Sequence, residues 1–237
     1  MKKIINVLII GILAVAAVSC NPNKDSFAST YSDFGCFNSA GNFVTDGGDA
    51  INFNADQTDK GWTTDCRYYI EYFYSKESGE DPVITLLSYV SVTTKSAIYK
   101  SSASEEDYGS DPVWVRYYSI SGTEESAYIN LVVYFYYLEG SDTQHKLDLL
   151  LDDTVDVVTS VNATMQHDAA GEYYGSSSVD NSKLDIAYGF VSFPMSDIDK
   201  LSTSTINLMK LTYSWHELVG NEYTGDVEEK TISLSLR

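Results

Sequence analysis

The chain has 237 residues and a formal net charge of -19, from 15 Lys and Arg against 34 Asp and Glu; 43% of it is hydrophobic, 13% aromatic, and 19 residues are tyrosine. That apolar content excludes wholesale disorder, and the length suits one or two domains at about 150 residues each. The acidity excludes nucleic acid as a partner, because a phosphate backbone would be repelled.

Lys2 and Lys3 open the chain, Ile4 to Val18 is apolar apart from Asn6 and Gly11, and the run leaves through Ala17, Val18, Ser19 and Cys20. A membrane-spanning helix needs about 20 apolar residues, so this shorter run reads as a cleaved secretory signal. With cysteine following the small residues, it resembles a bacterial lipoprotein signal, although Ala17 stands where such signals usually carry Leu. The resemblance implies removal of residues 1–19 and lipid attachment at Cys20. Loss of Lys2 and Lys3 takes the net charge from -19 to -21, and an anionic body beside an anionic membrane needs a spacer. Residues 20–33, containing Asn21-Pro22-Asn23-Lys24-Asp25-Ser26, read as that tether. The expected location is the bacterial outer membrane, lipid-anchored. Lys24-Asp25 resembles the charged tags of surface lipoproteins, and the periplasmic face is the other reading. Several acyl chains hold a protein stably, so no further membrane segment is required.

Cys36 and Cys66 remain as a pair. In an oxidising compartment they form either a disulfide, closing a loop of about 30 residues worth roughly 3–4 kcal/mol, or two separate buried thiols. Beyond the tether the pattern is strand-like. Runs at 67–74, 82–92, 113–120, 128–138, 146–151, 187–193, 206–215 and 231–236 are rich in Tyr, Val, Ile and Leu. No window carries a sustained helical stripe, and Asp46-Gly47-Gly48-Asp49 reads as a turn. In 128–138, Ile129, Leu131, Val133, Phe135 and Tyr137 alternate onto a core face, with Tyr128, Asn130, Val132, Tyr134 and Tyr136 opposite.

The polar, acidic stretch from Ser101 to Pro112 reads as a domain boundary. The expected fold is therefore all-β: a small OB-like β-barrel over 34–104, a linker at 105–111 and a β-sandwich over 112–237. Asp111-Pro112-Val113-Trp114-Val115, Asn130-Leu131-Val132-Val133, His145-Lys146-Leu147-Asp148-Leu149, His167-Asp168-Ala169-Ala170-Gly171-Glu172 and Lys230-Thr231-Ile232-Ser233-Leu234 carry a resemblance to the NigD-like lipoprotein family. That resemblance implies an N-terminal OB-like domain, a C-terminal β-sandwich and a lipoprotein signal. The family takes its name from a bacteriocin-associated operon, so the resemblance implies location and fold rather than an activity.

The sequence offers little chemistry. His145, His167 and His216 have no zinc spacing in sequence, and HExxH, CxxC and GxSxG are absent. His145 and His216 flank strands and read as solvated or hydrogen-bonded side chains. His167, in His167-Asp168-Ala169-Ala170-Gly171-Glu172, resembles the family's hairpin turn, in which Gly171 would supply positive φ and Asp168 would bond the local backbone. Acidic groups such as Asp152-Asp153 with Asp156 read as solvated loops, and no metal ligand set or cofactor is expected. Tyr134 and Tyr136 on the sandwich, and Tyr72 and Tyr74 on the barrel, are the candidate binding surface. The expected function is a non-enzymatic envelope lipoprotein of binding or accessory type, bacteriocin-associated or immunity-like, whose partners are the membrane and another envelope protein. The alternative is a surface carbohydrate-binding module using exposed tyrosines on a glycan.

Overall fold

The computed structural model describes residues 27–53, 61–64, 66–77, 79–104, 109–122, 127–154, 159–201, 205–219 and 222–236. The signal and Cys20 lie outside them. Thirteen strands carry the described chain. The first six are β1 (Phe27–Phe37), β2 (Phe43–Thr45), β3 (Ala50–Ile51), β4 (Arg67–Lys76), β5 (Val83–Thr94) and β6 (Ile98–Tyr99). They are followed by β7 (Trp114–Ser121), β8 (Tyr128–Leu138), β9 (Lys146–Leu151) and β10 (Ser160–Asp168). The last are β11 (Leu184–Pro194), β12 (Leu208–Val219) and β13 (Glu222–Ser235). One short helix, α1 (Met195–Asp199), and 3-10 turns at Lys100–Ser102 and Asn181–Lys183 complete the described elements. The all-β expectation holds.

The strands form an eight-stranded sheet in the order β3-β2-β1-β4-β5-β11-β8-β7 and a five-stranded sheet in the order β13-β12-β10-β9-β6. Period-two alternation places Ile129, Leu131 and Val133 of β8, fully buried, against Leu149, Leu151, Met165, Met209 and Leu211 of the second sheet. This is the sandwich core. A second core, around Phe37, Phe43, Ile70 and Leu86, fills the concave side of β1–β5, with Trp62 stacked on Phe37 at 4.1 Å. Close approach of β1 to β2 needs glycine at Gly35, since a Cβ there would lie 2.1 Å from the Val44 carbonyl oxygen.

The N-terminal unit is a curled sheet that continues into the sandwich. β5 pairs in parallel with β11 through Thr93 and Thr94 only. Past that narrow junction the sheet doubles back, so that Phe34, Tyr69 and Val92 lie on Val132 and Phe190, on the outer face of the sandwich sheet. Tyr69 stacks on Phe190 at 4.9 Å.

Three boundaries differ from the sequence reading. β1 starts at Phe27 and pairs with β4 along its length, so residues 27–33 of the expected tether 20–33 are strand. The unit expected over 34–104 ends earlier. β6 pairs with β9, Ala97 is in the sandwich core, and the Ala97 amide donates to buried Asp197 of α1 at 3.0 Å. Of the expected linker 105–111, residues 105–108 lie outside the described residues, and Asp111 is docked, its amide donating to the His167 carbonyl at 2.9 Å. The disulfide reading is also corrected: Cys36 and Cys66 are free thiols. The β1–β4 register sets Cys36 opposite Arg67, and Cys66 sits beyond the strand's start, exposed.

Candidate functional site

The fold-back brings polar side chains from five segments into one buried network. Arg67, at the head of β4, clamps Asp46 of the β2–β3 turn with two bonds of 2.7 Å. Its Nη2 also donates to Asn130 Oδ1 at 3.1 Å. Asn130 Nδ2 donates to Asp46 at 3.1 Å and to Ser121 Oγ at 2.7 Å, while Ser121 Oγ donates to Asp46 at 2.6 Å. Ser192 Oγ donates to Asn130 Oδ1 at 2.5 Å. The guanidinium lies 3.8 Å from the Tyr128 ring centroid, a cation–π contact in a place already removed from water. A charge this buried is tolerated only when paired in good geometry, which the planar Arg fork supplies.

Beside the network lies a cleft of about 240 Å³ lined by Ser32, Asp33, Asp49, Tyr69, Tyr117 and Ser119, among others. Burial pushes the Asp33 carboxyl above its usual range; the Tyr72 hydroxyl, 2.8 Å away, opposes this, and the charges of Asp46 and Asp49 add to it. One wall is β7, which contributes Tyr117, Ser119 and Ser121 from one face. Tyr117 is 52% exposed. Polar groups and aromatic rings converge on this cleft.

The four tyrosines singled out from sequence do not form one row. Tyr72 packs on the N-terminal core, stacks on Tyr31 at 5.7 Å and donates to Asp33. Burial, then its bond to Asp33, pushes its hydroxyl well above the ordinary phenol range. Tyr74 meets Tyr31 edge-on at 6.2 Å. Tyr134 is half-buried on the outer sandwich face, 5.6 Å from Trp114 and 4.2 Å from Tyr188. Tyr136 is no surface residue: it is 9% exposed and stacks on Trp215 at 5.7 Å. Trp215, Tyr174 and His216 close over the far end of the face that alternation assigns to solvent.

The histidines are likewise more buried than expected. Pairing of β9 with β10 brings His145 and His167 together, with Nδ1 of His145 3.0 Å from Nε2 of His167. His167 Nδ1 lies 2.9 Å from the Pro112 carbonyl, which can only accept. The His167 proton therefore sits on Nδ1, and Nε2 accepts from His145. His145 Nε2 faces Glu172 at 3.5 Å. Burial drives the His167 imidazole down to about 4, the Pro112 bond opposing and His145 reinforcing the shift. For Glu172, burial alone would raise the carboxyl; bonds from Ser141, Thr143 and the Leu138 amide outweigh it and hold the group below its usual range. His167 itself belongs to β10 and is buried, so it is not part of the turn; the turn follows it, with Gly171 at φ 87° and Asp168 accepting from the Ala170 amide at 2.9 Å. Among the described residues, no three His, Cys, Asp or Glu are arranged to hold a metal ion.

Against known families, the NigD-like C-terminal β-sandwich domain matches residues 95–232. The chain belongs to that family. The match begins at Lys95, where the curled sheet hands over to the NigD-like sandwich, and not at the expected residue 112. No curated protein matches. Among solved structures, this NigD-like chain is similar to a protein of unknown function from Bacteroides vulgatus, with a TM-score of 0.55, 16% identity and coverage of 87% of this chain and 90% of that one. It is similar to a NigD-like immunity protein from Bacteroides caccae, with a TM-score of 0.55, 17% identity and coverage of 87% and 96%. A candidate lipoprotein from Bacteroides fragilis gives a TM-score of 0.56 at 12% identity, with coverage of 88% and 99%. The coverage extends the shared fold across both the curled sheet and the sandwich.

Proposed function

We propose that this NigD-like chain is a non-enzymatic envelope lipoprotein, held in the bacterial outer membrane through lipid on Cys20, that works by binding in an immunity-like or accessory role. The observation that carries the reading is the cleft at the fold-back, where Asp33, Asp49, Tyr69 and Tyr117 converge on one accessible surface. The signal that ends at Cys20 supports the anchored location. Among the described residues, no helix is long and apolar enough to cross a membrane. Two names are compatible with it, immunity protein for the Bacteroides caccae structure and candidate lipoprotein for the Bacteroides fragilis one.

Deleting the gene is expected to sensitise cells to a toxin encoded beside it, read as survival in competition with the toxin-producing parent. Re-expression from a second locus restores survival. Unchanged survival of the deletion strain removes the immunity reading.

A further inference from the structure

The two sheets have four edges, and three of them are guarded. β3 and β6 are each only two residues long. β13 is long but carries Asp226, Glu228, Glu229 and Lys230 along it. Short and charged edges are how sheets avoid unwanted pairing. β7 ends the eight-stranded sheet and pairs only with β8 among the described strands. A bulge between Val115 and Tyr117, with exposed Arg116 at it and held over Trp114 at 5.3 Å, blunts its first half, whereas Tyr117 to Ser121 pairs regularly with β8. Over that regular stretch Tyr117 is 52% and Tyr118 38% exposed, and no charge interrupts it. Every second residue there turns its backbone N–H and C=O away from β8.

The same stretch forms one wall of the cleft, through the alternate residues Tyr117, Ser119 and Ser121. A strand laid beside β7 would stand about 4.8 Å away. Its alternate side chains would then rise on the cleft face, next to Tyr117 and Ser119. Across the cleft are Asp33 and Asp49, neither of which is ion-paired among the described residues, whereas Asp46 is neutralised by Arg67. The chain as a whole carries a net charge of -19. Asp33 and Asp49 within the cleft, together with the net charge of the chain, favour a cation there.

We propose that the free edge of β7 binds a basic, extended segment of a partner polypeptide as an added strand, with its lysine or arginine side chains lying in the cleft against Asp33 and Asp49. This rests on the binding reading above and names its partner's chemistry. Backbone pairing supplies affinity, and the acidic cleft selects which side chains face it.

The test uses the full chain in detergent and a labelled eight-residue peptide alternating lysine and threonine, followed by fluorescence anisotropy. The lysine peptide is expected to bind. A version methylated on every peptide nitrogen is expected to bind at least about tenfold more weakly, because it cannot pair with an edge. The equivalent glutamate peptide is expected not to bind. Asp33→Asn with Asp49→Asn is expected to weaken binding about tenfold. Asp49→Asn alone, at an exposed turn position, carries the test if the double variant does not fold. No binding by the lysine peptide, equal binding by the methylated peptide, or unchanged binding by the Asp variants overturns the proposal. Those failures leave the deletion result standing, and a failed deletion test with intact peptide binding removes the immunity reading alone.

Discussion

Arg67→Ala is expected to cost about 3–5 kcal/mol of stability, because it strands a buried carboxylate. The Asp46 side chain is only 4% exposed, and it loses both guanidinium bonds at once. Asn130 and Ser121 still donate to it, but neither carries a charge. The contact with Tyr128 goes too, worth about 0.5–2 kcal/mol where water is excluded. Arg67→Lys keeps the charge and forfeits the two-pronged geometry, so it should fall between wild type and alanine. The network spans β4, the β2–β3 turn, β7, β8 and β11, so the loss acts on the junction. Urea unfolding followed in backgrounds that keep either Trp62 alone or Trp114 and Trp215 alone, the others replaced by Phe, can watch each side separately, since Trp62 reports the N-terminal core and Trp114 and Trp215 the sandwich. In wild type the two signals should coincide. In Arg67→Ala the Trp62 signal should move to lower urea first. A loss below about 1 kcal/mol, or an unchanged Trp62 transition, would mean that the network is not what joins the units.

The second large effect is a pH dependence centred on His167. Its folded value, about 4, lies below the ordinary 6.5, so in that window the unfolded chain binds a proton that the native chain refuses. Stability therefore rises with pH across the window and is lost as pH falls from about 6.5 towards 4. The full shift corresponds to about 3 kcal/mol, most of it spent before pH 4.5. Asp168 and Glu172, both held below their ordinary values, begin to lose their own contributions only at and below the carboxylate range. Asp33, raised by burial, acts with the opposite sign there. His167→Gln can still donate to Pro112 and accept from His145, and should cost about 1–2 kcal/mol at pH 7. It should also flatten the slope between pH 6.5 and 4.5. Urea midpoints at pH 7.0, 6.0, 5.0 and 4.5 read both effects, and an equally steep slope in the variant would assign the dependence elsewhere.

What sequence made legible was what alternation encodes. β4, β5, β8 and β9 stand close to their expected bounds because Tyr, Val, Ile and Leu alternate or crowd there. β10 escaped because its buried face is Val161, Ala163, Met165 and His167, a weak apolar signal between Asn162, Thr164 and Gln166. β1 escaped because Ser29, Ser32, Asp33 and Gly35 make a strand resemble a tether. The acidic stretch near residue 105 was misleading for a different reason. Local polarity marks a loop at the surface, but it does not say whether the chain has already entered the next core, and Ala97 has.

The site was less legible than the fold because its residues meet only through pairing between distant segments. Arg67 and Asp46 are 21 residues apart, and Arg67 and Asn130 are 63 apart. One signal was available: Asn130 is a lone amide within Tyr-Ile-Asn-Leu-Val-Val, and a fully buried amide in a strand requires partners. Tyr136 shows the limit of period-two reasoning. Alternation gives the face on which a side chain stands, but not that Trp215 comes to cover it.

Complementation of the deletion strain with a chain altered only in the cleft asks whether protection depends on that surface. Carrying Asp33→Asn, Asp49→Asn and Tyr117→Ala, exported to the same level as wild type and equally stable to urea, it should leave cells as sensitive as the deletion itself. Full protection by that variant would contradict the claim that the fold-back cleft is where this NigD-like protein does its work.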